Sequence, residues 1–318
     1  MTPTTPRTDT AAQPAAVAHP ALPAIEHAIR AQAGNDFHIA ATREVGGGSI
    51  HTALRVGDAS GAAYFVKLGD TDYAPMFDAE ADGLAAIAAS ASFRTPAVFA
   101  CGTDGEHAFL VLEHLDLRPL QSAEDGERFA DALVRLHRDR GDTFGWTRDN
   151  FIGRTPQQNT PHANWAHFFV EHRLRPQFAL ARAKGFGTEL HREGERLFDR
   201  VPALFLDYRP QESLVHGDLW HGNAGVLADG TPVVFDPAVH RGDRESDLAM
   251  SELFGGFPAS FYAAYRQAWP LHEDYEQRKL LYSLYHVLNH LNLFGRGYLR
   301  EAMRLANRLN QILARRRD

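Results

Sequence analysis

The sequence predicts an α+β fold of two lobes, a small antiparallel sheet carrying one helix and then a mainly helical lobe. Three observations carry this reading. The first third is a series of short strand-like runs with Gly, Asp and Ser between them. Most of the remainder has apolar residues at helical spacing. One strand-and-loop island, Ser213 to Pro237, interrupts the helices.

Structure is expected to begin with a short helix, Leu22–Ala33, after a Thr-, Pro- and Ala-rich start read as a disordered tail over residues 1–20. Strands are expected at Phe37–Val45, His51–Val56 and Ala62–Leu68, the first two joined by Gly46-Gly47-Gly48. Ala74–Ala91 reads as a helix, because Ala and Leu dominate and Phe77, Leu84 and Ile87 fall near one face. Ala97–Ala100 and Ala108–Leu112 complete the sheet, giving a first lobe of residues 21–115 and a second of residues 116–318. In the second, Ala123–Arg140, Asn164–Ala183 and Glu189–Leu206 read as helices. So does the stretch Tyr275–Arg316, with Leu281, Leu284, Tyr285, Leu288 and Leu291 as its buried stripe.

Composition bounds the function. With 318 residues, 44% of them hydrophobic, the chain can bury a full core. A formal charge of −7 supplies no basic field for nucleic acid, so an anionic ligand needs a local positive site or a metal. The closing arginines, Arg315–Arg317, read as cations at the negative end of a last helix. A single cysteine, Cys101, excludes an intramolecular disulfide and a Cys-based zinc site and fits a reducing, cytoplasmic setting. Pro14 and His19 interrupt any signal-peptide core, and no apolar run approaches the ~20 residues of a membrane helix. Neither a nucleic-acid nor a membrane partner is expected; the sequence sets no oligomeric state.

The island reads LVHGDLWHGNAGVLADGTPVVFDPA. Asp218 and Asn223 have the D-x-x-x-x-N spacing of a phosphoryl-transfer loop, in which a carboxylate meets the attacking hydroxyl and an amide oxygen meets magnesium. The apolar run Val233-Val234-Phe235 then delivers Asp236 at a strand end, a second magnesium ligand. Upstream, Gly46, Gly47, Gly48 and Ser49 sit between two strands, where backbone N–H groups can approach the phosphates of ATP. Lys67, in a strand, is the candidate for the α/β phosphates. Glu80 on the next helix is its ion-pair partner, with Asp78 and Asp82 as competitors. The strand FLVLE ends at Glu113, and with Leu115 it resembles a hinge whose backbone holds adenine. A hairpin turn and a solvent-facing lysine are the ordinary readings of these features singly; their order makes the set specific.

At HGDLWHGN the chain resembles the fructosamine (ketoamine) kinase family, relatives of the aminoglycoside phosphotransferases with a bilobal protein-kinase-like fold. The resemblance covers nearly everything after about Leu22. It includes NFIGRTPQQN (Asn150–Asn159), NWAHFFVEHRLRPQ (Asn164–Gln177) and FDPAVHRGDRESDLAMSELFGGF (Phe235–Phe257), which general small-molecule kinases lack. Aminoglycoside kinases typically read HGDLHPGN; Trp220 is what the ketoamine branch carries. The resemblance implies Asp218 as catalytic base, Asn223 and Asp236 on magnesium, Lys67 with Glu80 on the ATP side, and Trp220 lining the sugar site. It implies ATP-dependent phosphorylation of the 3-hydroxyl of a ketoamine, free or on a glycated protein, after which the unstable adduct releases its amine. Two departures stand out. The glycine loop lacks the cysteine through which some eukaryotic members form redox-sensitive dimers, and His221 stands where relatives often have a small residue.

Other readings are weighed beside this one. A related kinase could act on an aminoglycoside, choline or a free sugar, against which Trp220 and GRTPQQN argue. A catalytically dead binding module is opposed by the presence of Lys67, Asp218, Asn223 and Asp236. His216 is a candidate for the substrate site, with bracing of the loop favoured over proton transfer. Asp247 is expected to bond backbone N–H groups of the catalytic loop. Trp146, Asn150, Trp165 and Phe257 either shape the acceptor site or pack the core.

Overall fold

The computed structural model describes residues 17–34, 36–46 and 51–315, so Gly47, Gly48, Ser49, Arg316, Arg317 and most of the expected tail lie outside the described residues. The described residues divide into two compact units, one within Met1–Ala74 and Phe99–His114 and the other within Pro75–Val98 and Leu115–Asp318. The sequence division kept residues 75–98 in the first lobe. By packing they count with the second, because Ile87 and Phe93 join the core built on Phe129, Leu133, Leu219 and Val234.

In the smaller unit, α1 (Leu22–Ala33) starts with Pro23 in its first turn, where the missing N–H has no helical partner to lose. Its Ile25 and Ile29, one turn apart, are fully buried, and each contributes roughly 1.5–3 kcal/mol. They pack on a five-stranded sheet of order β1-β2-β3-β5-β4, comprising β1 (Ala41–Glu44), β2 (Thr52–Gly57), β3 (Ala63–Asp70), β4 (Val98–Thr103) and β5 (His107–Glu113). Strand alternation decides which residues meet α1. Leu54, Val56, Val66, Leu68, Phe109 and Val111 share its face. Lys67 therefore belongs to the opposite face, in register with Ala53 and Leu110.

The larger unit holds α2 (Ala74–Ala89), α3 (Ala123–Arg138), the hairpin β6 (Asn150–Ile152) and β7 (Thr155–Gln157), α4 (Trp165–Phe169), α5 (Arg175–Ala183) and α6 (Thr188–Phe198). The strands β8 (Ser213–Val215), β9 (Ala224–Val226), β10 (Pro232–Val234) and β11 (His240–Gly242) follow. It closes with α7 (Glu245–Leu253), α8 (Ala259–Ala268), α9 (Tyr275–Phe294) and α10 (Leu299–Arg315). Helix α3 begins at a reciprocal cap, in which Ser122 accepts from the Asp125 N–H and Asp125 accepts from the Ser122 N–H. Among the described residues, no helix is long and apolar enough to cross a membrane.

Three expected helices differ in detail, each for a reason in the chain. The stretch 164–183 is continuous but passes through a π-turn, Val170–Leu174, just before Pro176. Proline cannot donate to the carbonyl four residues back, and the wider turn absorbs that defect. The helix expected over 189–206 ends at Phe198, and a 3-10 turn containing Pro202 replaces its last part. The final stretch breaks at Gly295 (φ +92°) into α9 and α10. The hairpin β6–β7 and helix α8 had no expected counterpart.

Candidate active site

Strand β8 pairs with β11, Val215 opposite His240, and runs directly into the HGD segment. Gly217 has φ +82°, and a Cβ there would lie 2.1 Å from the Ala238 carbonyl oxygen, so only glycine fits. Asp247, in the first turn of α7, accepts from the N–H groups of His216 (2.7 Å) and Gly217 (2.9 Å). It also accepts from His137 Nε2 (3.1 Å), whose Nδ1 takes the Tyr265 hydroxyl (2.8 Å). Burial works against its charge, but these hydrogen bonds, that of His137 foremost, hold the Asp247 carboxyl below its usual range. The expected bracing by Asp247 is what the hydrogen bonds display.

His216 is fully buried, and both ring nitrogens are engaged. Nδ1 accepts from the Asp218 N–H (3.3 Å), and Nε2 donates to the Phe235 carbonyl (3.0 Å). Nothing remains to offer a substrate. These bonds brace the loop, the role the sequence favours for His216.

Beyond Asp218 the chain enters the β9–β10 hairpin, with Val234 opposite Ala224. Asn223 precedes β9 and Asp236 follows β10, so antiparallel pairing brings the two to one end of the hairpin. The Phe235 N–H donates to the Asn223 carbonyl (3.1 Å). Asn223 Nδ2 donates to the Asp218 carbonyl (3.0 Å) and carboxylate (3.2 Å), which leaves its amide oxygen for another partner. Asp236 has φ +55°, a left-handed conformation that is uncommon for a residue with a side chain and clusters at functional sites. The Asp218 side chain keeps 21% of its surface. Burial, and then the charge of Asp236, push its carboxyl up to about 7.

Trp220 folds back on the loop. A Cβ at Gly222 would lie 2.4 Å from its ring, so this glycine is required for the indole's position. The ring meets His221 (4.8 Å between centroids) and Phe254 (6.1 Å), both edge-on. In the smaller unit, Lys67 is 2% exposed in β3, Glu113 ends β5 opposite Tyr64, and Gly46 is an exposed turn residue after β1. In the larger unit, Glu80 is a 9% exposed residue of α2, and Leu115 opens the segment after β5. Asp82, weighed as a competitor of Glu80, accepts from the Trp146 indole (2.8 Å).

The NFIGRTPQQN segment is a polar brace. Asn150 donates to the Val239 carbonyl (2.7 Å), Gln157 to Ala238 (3.3 Å), and Asn159 to Asn150 (2.8 Å). It thereby holds the chain just after Asp236. Trp165 is a core residue, stacked on Phe168. Sequence reasoning missed His286, whose buried Nδ1 lies 4.0 Å from Asp218 Oδ1. Its only signal was the pair of histidines four apart in HVLNH, hidden within the apolar stripe of α9.

The buried imidazoles make a pH prediction. Burial lowers His137 and His216, and takes His240 and His286 to about 3, whereas each protonates near pH 6.5 when unfolded. Between those values the unfolded chain binds more protons, so these groups stabilise the fold above about pH 6.5 and that stability is lost as pH falls. Two carboxyls work oppositely. Asp218 is raised to about 7, and burial with the charge of Asp243 raises Glu245 against the pull of Arg278, so each favours the fold as pH falls below 7. Four imidazoles outweigh two carboxyls. The urea midpoint is expected to fall from pH 7 to pH 5.5, by on the order of 1–3 kcal/mol in stability; an equal or higher midpoint at pH 5.5 contradicts this burial account.

The family model for fructosamine kinase matches residues 21–314. A protein of Synechocystis sp. assigned as a ketoamine kinase is 43% identical over 289 residues, covering 91% of this chain and 96% of that protein. One of Vibrio cholerae, similarly assigned, is 40% identical over 90% of this chain and 98% of its own length. The crystal structure of a Haemophilus somnus 129PT protein assigned as a fructosamine-3-kinase superposes with TM-score 0.83 at 32% identity, covering 90% of this chain and 96% of that one. Aminoglycoside phosphotransferase APH(4)-Ia, in a ternary complex with AMP-PNP and hygromycin B, has TM-score 0.62 at 17% identity over 92% of this chain and 98% of its own. At that identity it shows the kinase-like fold alone.

Proposed function

The chain belongs to the fructosamine kinase family, and on that premise we propose that it transfers the γ-phosphoryl group of ATP to the 3-hydroxyl of a ketoamine. The observation that carries this reading is the convergence of Asp218, Asn223 and Asp236 at the β8 end and the β9–β10 hairpin. The phosphorylated adduct then sheds its amine, which makes the reaction a deglycation.

The donor set suits magnesium. Asp236 supplies a carboxylate and Asn223 an amide oxygen turned from Asp218, both hard oxygen ligands. Among the described residues no cluster of three or more His, Cys, Asp or Glu could hold a metal by itself. An ion that shares its shell with nucleotide phosphates needs only one or two protein ligands. When bound, magnesium neutralises phosphate charge as the phosphoryl group transfers.

The chain's own contribution is positioning. Asp247 and His216 fix the backbone on either side of Gly217, and so aim the Asp218 carboxylate. Asn223 holds one carboxylate oxygen. The other is left to accept the proton of the sugar hydroxyl. Burial raises this carboxyl's affinity for a proton above that of an ordinary aspartate, the direction a base requires. Trp220 offers an apolar ring to one face of the sugar. The roles of Lys67, Glu80, Glu113, Leu115 and the Gly46–Ser49 loop on the nucleotide side rest on their order along the sequence.

ADP release tests the reading, with ribuloselysine and fructoselysine beside kanamycin, choline and free ribose. Turnover confined to the two ketoamines is expected. Turnover only with another alcohol would keep the kinase and discard deglycation.

A further inference from the structure

A chain of rings leads away from Trp220. Beyond its contact with Phe254, the Phe254 ring meets His290 at 4.5 Å, and His290 meets Phe294 at 5.4 Å and Tyr298 at 5.2 Å. Gly255 and Gly256, both with positive φ, turn the chain after α7 and hold Phe254 beside the catalytic loop. His290 and Phe294 lie one turn apart on α9, so the strip runs along the helix to its C-terminal end. It ends in the open: Phe294 is 46% exposed, one of three large hydrophobic residues so exposed among those described.

We propose that this strip is the subsite for the amine arm of the ketoamine, a cationic amine on an aliphatic stem such as a glycated lysine side chain. The inference rests on the ketoamine kinase reading and names which part of the substrate lies outside the sugar site. Three features fit that occupant. The strip starts at the residue given the sugar and continues outward, as the amine arm must. Ring faces attract an alkylammonium and cover a methylene stem at little cost in polar contacts. His290 Nδ1 lies 2.8 Å from the His286 carbonyl, which can only accept, so Nδ1 carries the proton and Nε2 of the neutral ring is an acceptor for an N–H. Burial lowers the His290 pKa, which keeps that ring uncharged beside a cation.

The test compares wild type, Phe294→Ala and Phe294→Trp on two ketoamines of the same sugar, one formed from methylamine and one from the lysine side chain of a short peptide. The readout is the ratio of kcat/KM for the peptide over the methylamine adduct. Phe294→Ala is expected to lower the ratio about fivefold to tenfold through KM, in line with the loss of one aromatic contact to the methylene stem, which the methylamine adduct lacks, and Phe294→Trp to retain it. A ratio within twofold of wild type, or an equal loss on both substrates, overturns the subsite. Wild type inactive on both ketoamines would instead overturn the kinase reading itself, so the two failures are distinguishable.

Discussion

Asp218→Asn is expected to lower kcat with a ketoamine by roughly 10²–10⁴-fold while KM changes little. The substitution keeps the shape of the side chain and removes its capacity to take a proton. Stability should move the other way. The carboxylate is ionised at a buried site beside Asp236, which is why its pKa rises to about 7, and the neutral amide removes that penalty. The urea midpoint of Asp218→Asn at pH 8 should therefore equal or exceed that of wild type. An unchanged kcat removes Asp218 from the proposed role, and a lower midpoint contradicts the electrostatic account of its environment.

Asp247→Ala is expected to destabilise the fold by about 3–5 kcal/mol and to abolish measurable turnover. One carboxylate serves three buried donors, the N–H groups of His216 and Gly217 and the ring of His137. Truncation leaves all three unsatisfied, and the effect reaches Asp218 through the backbone it brackets. Asp247→Asn retains one acceptor oxygen and should fall between the two. Urea unfolding of the three proteins at pH 7.5 decides this, and a loss below about 1 kcal/mol for the alanine variant would show that the loop is held by other means.

The two predictions draw on different depths of the sequence. The spacing of Asp218, Asn223 and Asp236 was legible because loop chemistry is written in a short stretch of chain, whereas the β9–β10 pairing that brings Asn223 and Asp236 to one end came only with the fold. The bracing by Asp247 was legible as an acidic residue in the first turn of a helix. His216 illustrates the limit. Its place near Asp218 in the sequence allows either a substrate role or the favoured bracing, and only the fold shows which atoms its ring nitrogens bond. His286 was hidden for a different reason, since a helix stripe of Leu281, Leu284, Tyr285 and Leu288 reads as core whichever residue stands next to it. The hairpin β6–β7 has three-residue strands, one of them containing Pro156, below what alternation can reveal. The breaks at Pro202 and Gly295 were present as helix-breaking residues, but neighbouring helical pattern outweighed them.

The most direct test of the central claim is the position of the phosphate in the product. Phosphorus-coupled proton NMR of the reaction of ribuloselysine with ATP and magnesium should place the new phosphoryl group on the C3 oxygen, followed by the appearance of free lysine. A phosphate on any other oxygen, or a stable product that retains its amine, would contradict the account.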